Sequence, residues 1–560
     1  MKTIIYQLLP RLFGNTTERL VHNGTKEQNG SGRFNDITTL ALKKIKSLGV
    51  THVWYTGVIE HATQTDYSDF GIVRDHPAVV KGRAGSPYSI KDYYDIDPDL
   101  ATSPEKRKKE FMALVERTHR AGMKVIIDFV PNHVARQYHS DAAPEGVDDL
   151  GTRDNPSQAF SPTNNFYYIP GQPLRGTFDM LCGATEPYEE FPAKATGNDQ
   201  FSASPSQNDW YETVKLNYGI DYLGGHTRRF TPLPDTWTKM RDILMYWAEQ
   251  GIDGFRCDMA EMVPCEFWAW CLKQVKRRFP NIIFIGEVYQ PSLYRDYLYR
   301  GGFDLLYDKV GLYDTLRDVT CGMQPASAIT ECWKSVADIQ KHMLYFLENH
   351  DEQRIASDFF IKSGLAARAA VVVATCMNTN PFMLYFGQEL GEHGMDEEGF
   401  SGRDGRTTIF DYWSVETVRK WYDGGHCTLK KLSPESRQIY TFYKKVMSVA
   451  TTETSITDGH FFDLMYANYG NPRFRSDKVF AFIRKYANEA VFVLANFDTV
   501  NHMTDTCVPG HAFDFLNMSE GEFKAVELLT KRQLQIMLRR DGVFSCDIPS
   551  QSAVMLKLTF

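Results

Sequence analysis

The sequence predicts an α/β fold in which strand–helix units close into a barrel that is interrupted once and followed by a separate β domain. Three observations predict it. Short apolar runs alternate with helix-like stretches, one long Pro-, Gly- and Asn-rich interruption follows the third strand-like run, and the C-terminal end carries strand-like runs without long helices between them. At 560 residues the chain is too long for one compact core, so a barrel-sized domain with one or two smaller ones is the expected layout.

The first stretch reads TIIYQLL (3–9), a helix over 36–48, VTHVWYT (50–56), a helix over 104–121 and KVIIDFV (124–130). The helix at 104–121 carries its own punctuation, with Ser103 as expected N-cap, Pro104 in the first turn and Gly122 as the stop. From 132 to about 212 the rhythm gives way to segments such as SPTNNFYYIPGQP, the mark of a functional insertion or a small irregular domain. The alternation then resumes: helix 235–250, strand 254–258, helix 265–278, strand 282–287, FDLLYD (303–308), strand 343–348, helix 364–378 and FMLYF (382–386). Both stretches together give about eight units, the number that closes a barrel. Beyond 455, KVFAFIRKY, AVFVLANF and SAVMLKLTF read as an antiparallel β domain. The expected boundaries are therefore 1–131 and 213–454 for the barrel, 132–212 for the insertion and 455–560 for the last domain.

Net charge of -8 leaves no basic surplus for a phosphate backbone, so nucleic acid is not an expected partner, while 13% aromatic residues are ample for packing or sugar stacking. The ten cysteines are scattered without a CxxC pair and read as buried thiols of a reducing compartment. The apolar start is broken by Gln7 and Arg11 before a signal-peptide core forms, and no stretch is long and apolar enough for a bilayer. The expected location is the cytoplasm, with no membrane partner.

Four short segments carry the chemistry: DFVPNH (128–133), GFRCD (254–258), GEV (286–288) and ENHD (348–351). Residues two apart on a strand share a face, so Arg256 and Asp258 point together, and a guanidinium beside a carboxylate is expected to keep it ionised, as a nucleophile must be. Taken alone the pair reads equally well as scaffolding. Glu287 follows Ile283 and Ile285 on one face of an apolar strand, where desolvation suits a proton donor. Asn349, His350 and Asp351 follow the apolar run MLYFL, and Asp128, Asn132 and His133 sit where a barrel carries its active site. Three carboxylates at strand ends form a layout for glycosidic cleavage, since a retaining glycosidase needs a nucleophile and an acid/base about 5–5.5 Å apart.

As a set these segments resemble the α-amylase family, glycoside hydrolase family 13, with further resemblance in YQLLPRLF (6–13), PYSIKDYYDIDP (87–98) and YFGQE (385–389). The resemblance implies a (β/α)8 TIM barrel, an inserted domain B after strand 3 and a C-terminal antiparallel β-sandwich domain. It implies an α-amylase-like retaining hydrolase of α-1,4-glucosidic bonds in starch- or glycogen-type glucans or maltooligosaccharides. A neopullulanase- or cyclomaltodextrinase-like hydrolase and a 4-α-glucanotransferase are the alternatives. A catalytically inactive binding subunit is the alternative of another class, which the retention of all three carboxylates argues against. In this resemblance Asp258 matches the nucleophile, Glu287 the acid/base and Asp351 the transition-state stabiliser. Arg256, His133, His350 and Asp128 match groups around the cleaved sugar, and Tyr88 its aromatic platform.

Two departures stand out. In relatives that hold the family's calcium, Asn132 is matched by an Asn ligand joined by an Asp, but the segment TVKLNYG (213–219) puts Lys215 at that Asp. An ammonium does not ligate a cation, so Asn132 is expected to hydrogen-bond instead, and no organic cofactor is implied. The KLN triplet looks like the neopullulanase and cyclomaltodextrinase subgroup. Second, Glu261 and Met262 replace the Lys-His pair common after the nucleophile, which implies different recognition of the leaving-group sugars. Trp210, Tyr211, Phe166, Tyr167 and Tyr168 are candidates for stacking there, or for packing within the insertion.

Overall fold

A computed structural model describes residues 2–560. Eight parallel strands close into a barrel: β1 (Ile4–Leu8), β2 (His52–Tyr55), β3 (Lys124–Phe129), β4 (Gly254–Cys257), β5 (Ile283–Gly286), β6 (Leu305–Tyr307), β7 (Met343–Phe346) and β8 (Phe382–Tyr385). Each pairs with its sequence neighbours, and β1 closes the ring on β8. The period of two decides what fills the interior. Ile5, Trp54, Ile126, Ile285, Tyr307, Leu344, Phe346 and Met383 pack on one another inside the ring. The alternate residues Val53, Ile127, Phe255, Phe284 and Leu306 face outward into the large core shared with the helices. Gly254 makes the lower interior possible, because a Cβ there would lie 2.5 Å from Ile283 Cγ1.

The surrounding helices include α1 (Thr39–Lys46), α2 (Arg107–Arg120), α3 (Asp235–Glu249), α4 (Cys265–Arg278), α5 (Arg368–Cys376) and α6 (Pro434–Thr452). In α4 the spacing of Phe267, Trp268, Cys271, Leu272 and Val275 makes one continuous buried face, and each large apolar side chain there stabilises the fold by about 1.5–3 kcal/mol. The start of α2 differs from expectation. Residues 104–106 form a 3-10 turn, and the Ser103 side chain caps nothing. Glu110 does this work from within the helix, its carboxylate accepting the Thr102 and Ser103 N–H groups at 2.8 and 3.0 Å. Proline after Ser103 favours extended backbone there (φ -125°), and the first free N–H groups fall upstream, within reach of Glu110. Gly122 ends the helix at φ +75°, a conformation that suits glycine.

After β3 the chain leaves the barrel through a two-stranded stem, His133–Ala135 antiparallel to Thr213–Lys215, with His133 opposite Lys215. Between the stem strands lie a short pair, Tyr168–Ile169 with Ala193–Lys194, and turns held by side chains. Asp154, for example, accepts the N–H groups of Asn165 and Phe166 and the Tyr168 hydroxyl.

The C-terminal region holds β9 (His460–Asp463), β10 (Val479–Tyr486), β11 (Glu489–Asn496), β12 (His502–Val508), β13 (Gly521–Glu527), β14 (Gln533–Leu538), β15 (Gly542–Ile548) and β16 (Ser552–Thr559). They form an antiparallel sheet in the order β9-β10-β11-β16-β13-β14, and its second layer is only the ribbon β12-β15. Buried Arg484 on β10 ties this sheet to the barrel by donating to the Met377 carbonyl just past α5, at 2.8 Å. Among the described residues all ten cysteines are unpaired, and no helix is long and apolar enough to cross a membrane.

Candidate active site

Register brings the strand-end residues together. Arg256 lies opposite Asp128 on β3 and Ile285 on β5, so Asp258 and Glu287 emerge side by side at the C-terminal rim. The ladder runs one step past the strands and fixes both acids, with Asp258 N–H on Phe129 O at 2.9 Å and Glu287 N–H on Cys257 O at 3.1 Å. Met259 then turns in the left-handed region (φ 43°), a conformation that costs a non-glycine residue about 1–2 kcal/mol, and aims its N–H at Glu287 Oε2, 2.7 Å away.

Arg256 is the centre of the cluster. With no exposed surface, it sets Nη1 2.6 Å from Asp258 Oδ1, Nη2 2.7 Å from Glu287 Oε2 and Nη1 3.8 Å from Asp128 Oδ1. Its Nε donates to the Tyr307 hydroxyl at 3.2 Å, and its guanidinium faces the rings of Trp54 and Tyr88. Burial works against the charge, but Glu287, Tyr307, Tyr88 and Asp258 hold the Arg256 pKa well above its ordinary value.

The expectation that this guanidinium keeps Asp258 ionised is corrected. Burial pushes Asp258 well above the usual carboxylate range, and the charge of Glu287 adds to the rise, against the pull of Arg256. One cation is divided among three acids and cannot neutralise each. Burial likewise raises Asp128 to about 6, opposed by Arg256 and by the donors Trp54 Nε1 (3.1 Å) and Gly57 N–H (3.2 Å). It raises Asp351 too, although that side chain keeps 42% of its surface open to the cleft.

Both histidines are held neutral. Burial first, then Arg256, pulls His350 well below its ordinary value, and burial with Lys215 and Lys81 takes His133 down to about 3. The Gln7 amide meets His350 Nδ1 at 2.8 Å, which leaves Nε2 to face the Tyr88 hydroxyl (2.6 Å) and Asp351 Oδ2 (3.1 Å). The Tyr88 and His350 rings stack, with centroids 5.2 Å apart.

Of the residues singled out by sequence, Tyr88, His133, Asp258, Glu287 and Asp351 line one cleft of about 370 Å³, together with Trp210, Tyr289, Lys81 and Phe410. Arg256, His350 and Asp128, expected around the sugar, lie directly against these residues. Arg256 pairs with Asp258 and Glu287, His350 stands between Tyr88 and Asp351, and Asp128 faces Arg256. Of the aromatic candidates only Trp210 reaches the cleft, beside His133; Tyr211, Phe166, Tyr167 and Tyr168 are buried in the insertion. Gln7, Trp54, Tyr307 and Tyr289 were not singled out, although strand parity turns the first three inward and the two-residue step from Glu287 marks the fourth. A larger cavity of about 1090 Å³, lined by Leu365, Phe442, Leu529 and Ile536 among others, lies between α6 and the C-terminal sheet, apart from the four acids.

The residues at the calcium position do not fit the ion. Lys215 Nζ sits 2.7 Å from Asn132 Oδ1 and 2.5 Å from Asp199 Oδ1, so an ammonium occupies the oxygens a metal would need. Asn132 spends its amide on Gly197 O at 2.8 Å. A second acidic group, Glu60, Asp92 and Asp95, is engaged by the protein itself. Asp92 accepts from Tyr94, Ser140, Asp141 and Ala142, Asp95 pairs with Arg107, and burial beside these acids raises Glu60 well above its ordinary value and so favours its neutral form.

The family model for the alpha amylase catalytic domain matches residues 7–422. The chain belongs to the alpha-amylase family. It is 27% identical to alpha-amylase MalA of Haloarcula japonica over 372 residues, which are 65% of this chain but only 42% of that protein. It is 21% identical to neopullulanase 2 of Thermoactinomyces vulgaris over 515 residues, 88% of this chain and 69% of that one. A maltogenic alpha-amylase, AmyB of Thermotoga neapolitana, shares the fold across the whole chain and 99% of its own, with a TM-score of 0.63 at 18% identity. For this alpha-amylase family member, the (β/α)8 barrel and C-terminal sheet are thus those of solved relatives.

Proposed function

We propose that the protein is a retaining glycoside hydrolase that cleaves α-1,4-glucosidic bonds of starch- or glycogen-type glucans and maltooligosaccharides. The observation that carries the reading is the shared ion-pair geometry of Asp258 and Glu287, on neighbouring strands, around buried Arg256. Cleavage needs one carboxylate and one carboxylic acid, so the reactive form has one proton between the two groups. Glu287 carries that proton, and Arg256 favours the charged form of Asp258. Asp258 attacks the anomeric carbon as the bond to the glycosidic oxygen breaks, and the leaving sugar takes the proton of Glu287. Water then attacks the glycosyl ester, Glu287 accepts the water's proton, and Asp258 is released. Asp351, open to the cleft beside His350, stabilises the positive charge that develops on the ring. His133, Tyr88 and Trp210 form the sugar-facing wall.

A second reading, a neopullulanase- or cyclomaltodextrinase-like hydrolase or a transferase, is favoured by Lys215 in its KLN segment and by the similarity to a neopullulanase. The first test is Glu287→Gln. Wild type is expected to release reducing sugar from soluble starch at least a hundredfold faster than the variant (about 2.7 kcal/mol of barrier); equal low rates refute the hydrolase reading. Proton NMR of the first product is expected to give the α-anomer, and a β-anomer removes Asp258 as nucleophile. Parallel profiles on starch, pullulan and cyclodextrin separate the two readings, since cyclodextrin preferred over starch selects the second.

A further inference from the structure

We propose that Tyr289 is a positioning residue for proton transfer by Glu287, and that Glu261 holds it in place. The inference rests on the acid/base role proposed for Glu287. Tyr289 OH donates to Glu287 Oε1 at 2.5 Å, while Oε2 is taken by the Met259 N–H and lies against Arg256. Oε1 is therefore the oxygen free to carry a proton toward substrate, and the phenol occupies one of its two lone-pair directions. The other direction is left for the proton.

The phenol's effect changes along the reaction. While Glu287 is a neutral acid, the bond from Tyr289 is an ordinary one. When the proton has passed from Oε1 to the departing glycosidic oxygen, the same bond is made to a full carboxylate and is about twice as strong. Tyr289 keeps its own proton throughout, since burial and the charge of Glu287 lift its pKa far above its ordinary value. It thus favours the deprotonated product of the proton transfer, which is the property a good general acid needs.

Backbone geometry comes from Glu261. Its Oε2 accepts the N–H of Tyr289 at 3.0 Å and of Gln290 at 3.1 Å. The turn that carries Glu261 is supported from below by Tyr297, whose hydroxyl donates to Glu261 O at 3.1 Å and Val263 O at 2.8 Å. Three residues after the proposed nucleophile, one carboxylate therefore fixes the segment that carries the acid's hydrogen-bond partner. Other charged or titratable groups that face Glu287 are Arg256, Asp258, Asp128, Tyr307 and His350, and Tyr289→Phe alters none of them.

The test compares two substrates in Tyr289→Phe: a maltooligosaccharide, whose leaving sugar must be protonated, and α-maltosyl fluoride, whose leaving group needs little proton donation. The readout is the ratio of the two kcat/KM values, which is independent of how much of a preparation is folded. Tyr289→Phe is expected to lower that ratio about ten- to a hundredfold, the range for one hydrogen bond to a charged group. Glu261→Ala is expected to lower it in the same direction, and Glu261→Gln, which keeps an acceptor oxygen, to recover most of that loss. Glu287→Gln sets the lower limit. An unchanged ratio in Tyr289→Phe overturns the proposal, because a sugar-binding or merely structural role weakens both substrates alike. If wild type turns over neither substrate, the hydrolase reading fails instead.

Discussion

Replacing Lys215 with Met tests whether an ammonium has taken over the structural work of a metal. The side chain is 2% exposed, and it links Asn132 at the end of β3 to Asp199 in the insertion across the two-stranded stem. Burial pulls its pKa down and Asp199 pulls it back up. Losing the charge-assisted bond to Asn132 Oδ1 costs about 1.5–3 kcal/mol. The pair with Asp199, whose side chain is 36% exposed, is screened by water and adds about 0–1 kcal/mol. Relief of the desolvated ammonium offsets part of both, which leaves a net loss of about 2 kcal/mol and, over a chain of 560 residues, a fall in Tm of about 2 °C. Scanning calorimetry in EDTA and in millimolar calcium checks it. Wild type is expected to melt at one temperature in both buffers and Lys215→Met lower in both. Lys215→Asp, which adds a carboxylate beside Asn132 and Asp199, is expected to gain a calcium response. A ligand at a hundred times its Kd adds about 2.7 kcal/mol, so a wild-type Tm that climbs by about 2 °C with calcium refutes the reasoning.

Arg256→Lys removes the fork that reaches Asp258 and Glu287 at once. A single ammonium meets only one of them, so kcat on a maltooligosaccharide is expected to fall about a hundred- to a thousandfold, or 3–4 kcal/mol, with KM changed much less; steady-state kinetics showing an unaltered kcat contradict this. Glu389, buried and bonded to Tyr6 OH at 2.8 Å, is raised by burial from an ordinary 4.5 to about 7. The folded state therefore binds more protons than the unfolded one between these values, and wild type loses stability as pH rises through that window. Glu389→Gln removes the dependence, so its stability relative to wild type is expected to grow by about 3 kcal/mol from pH 4.5 to pH 7 in urea titrations. A flat difference across that range refutes it.

Much of the fold was legible because barrel strands announce themselves twice, as short β-branched runs and as residues of fixed parity. The same parity turned Arg256, Asp258 and Glu287 inward before any geometry was known. It did not reveal that Arg256 has three acids to serve, because register between β3, β4 and β5 sets that number and one strand's sequence carries no register. Ser103 shows the limit of local signals. Its type and its proline suited a cap, yet Glu110, seven residues on, supplies the acceptor. Lys81 and Phe410 reach the cleft from loops whose paths depend on long-range packing, so neither composition nor periodicity pointed to them. Lys215 was legible as a chemical misfit, and the stem register opposite His133 gives its place beside Asn132.

The electrostatics of the cleft follow from burial and from a shortage of positive charge. Asp128, Asp258 and Glu287 surround a single guanidinium, Asp351 stands beside His350, and both nearby histidines are held neutral. Burial raises Asp258 and Asp351 despite Arg256, and so works in the empty site against the charged forms that the reaction needs. A sugar ring that becomes positively charged supplies the second cation the cluster lacks. The transition state then favours the charged carboxylates that burial disfavours in the ground state, and these preorganised groups gain most when the ring charge is greatest. A second fixed cation, such as a protonated histidine at 350, would calm the resting site and remove that difference. Gln7, which meets His350 Nδ1, and Arg256, which opposes a charge on the ring, are in this sense as much part of the chemistry as the acids.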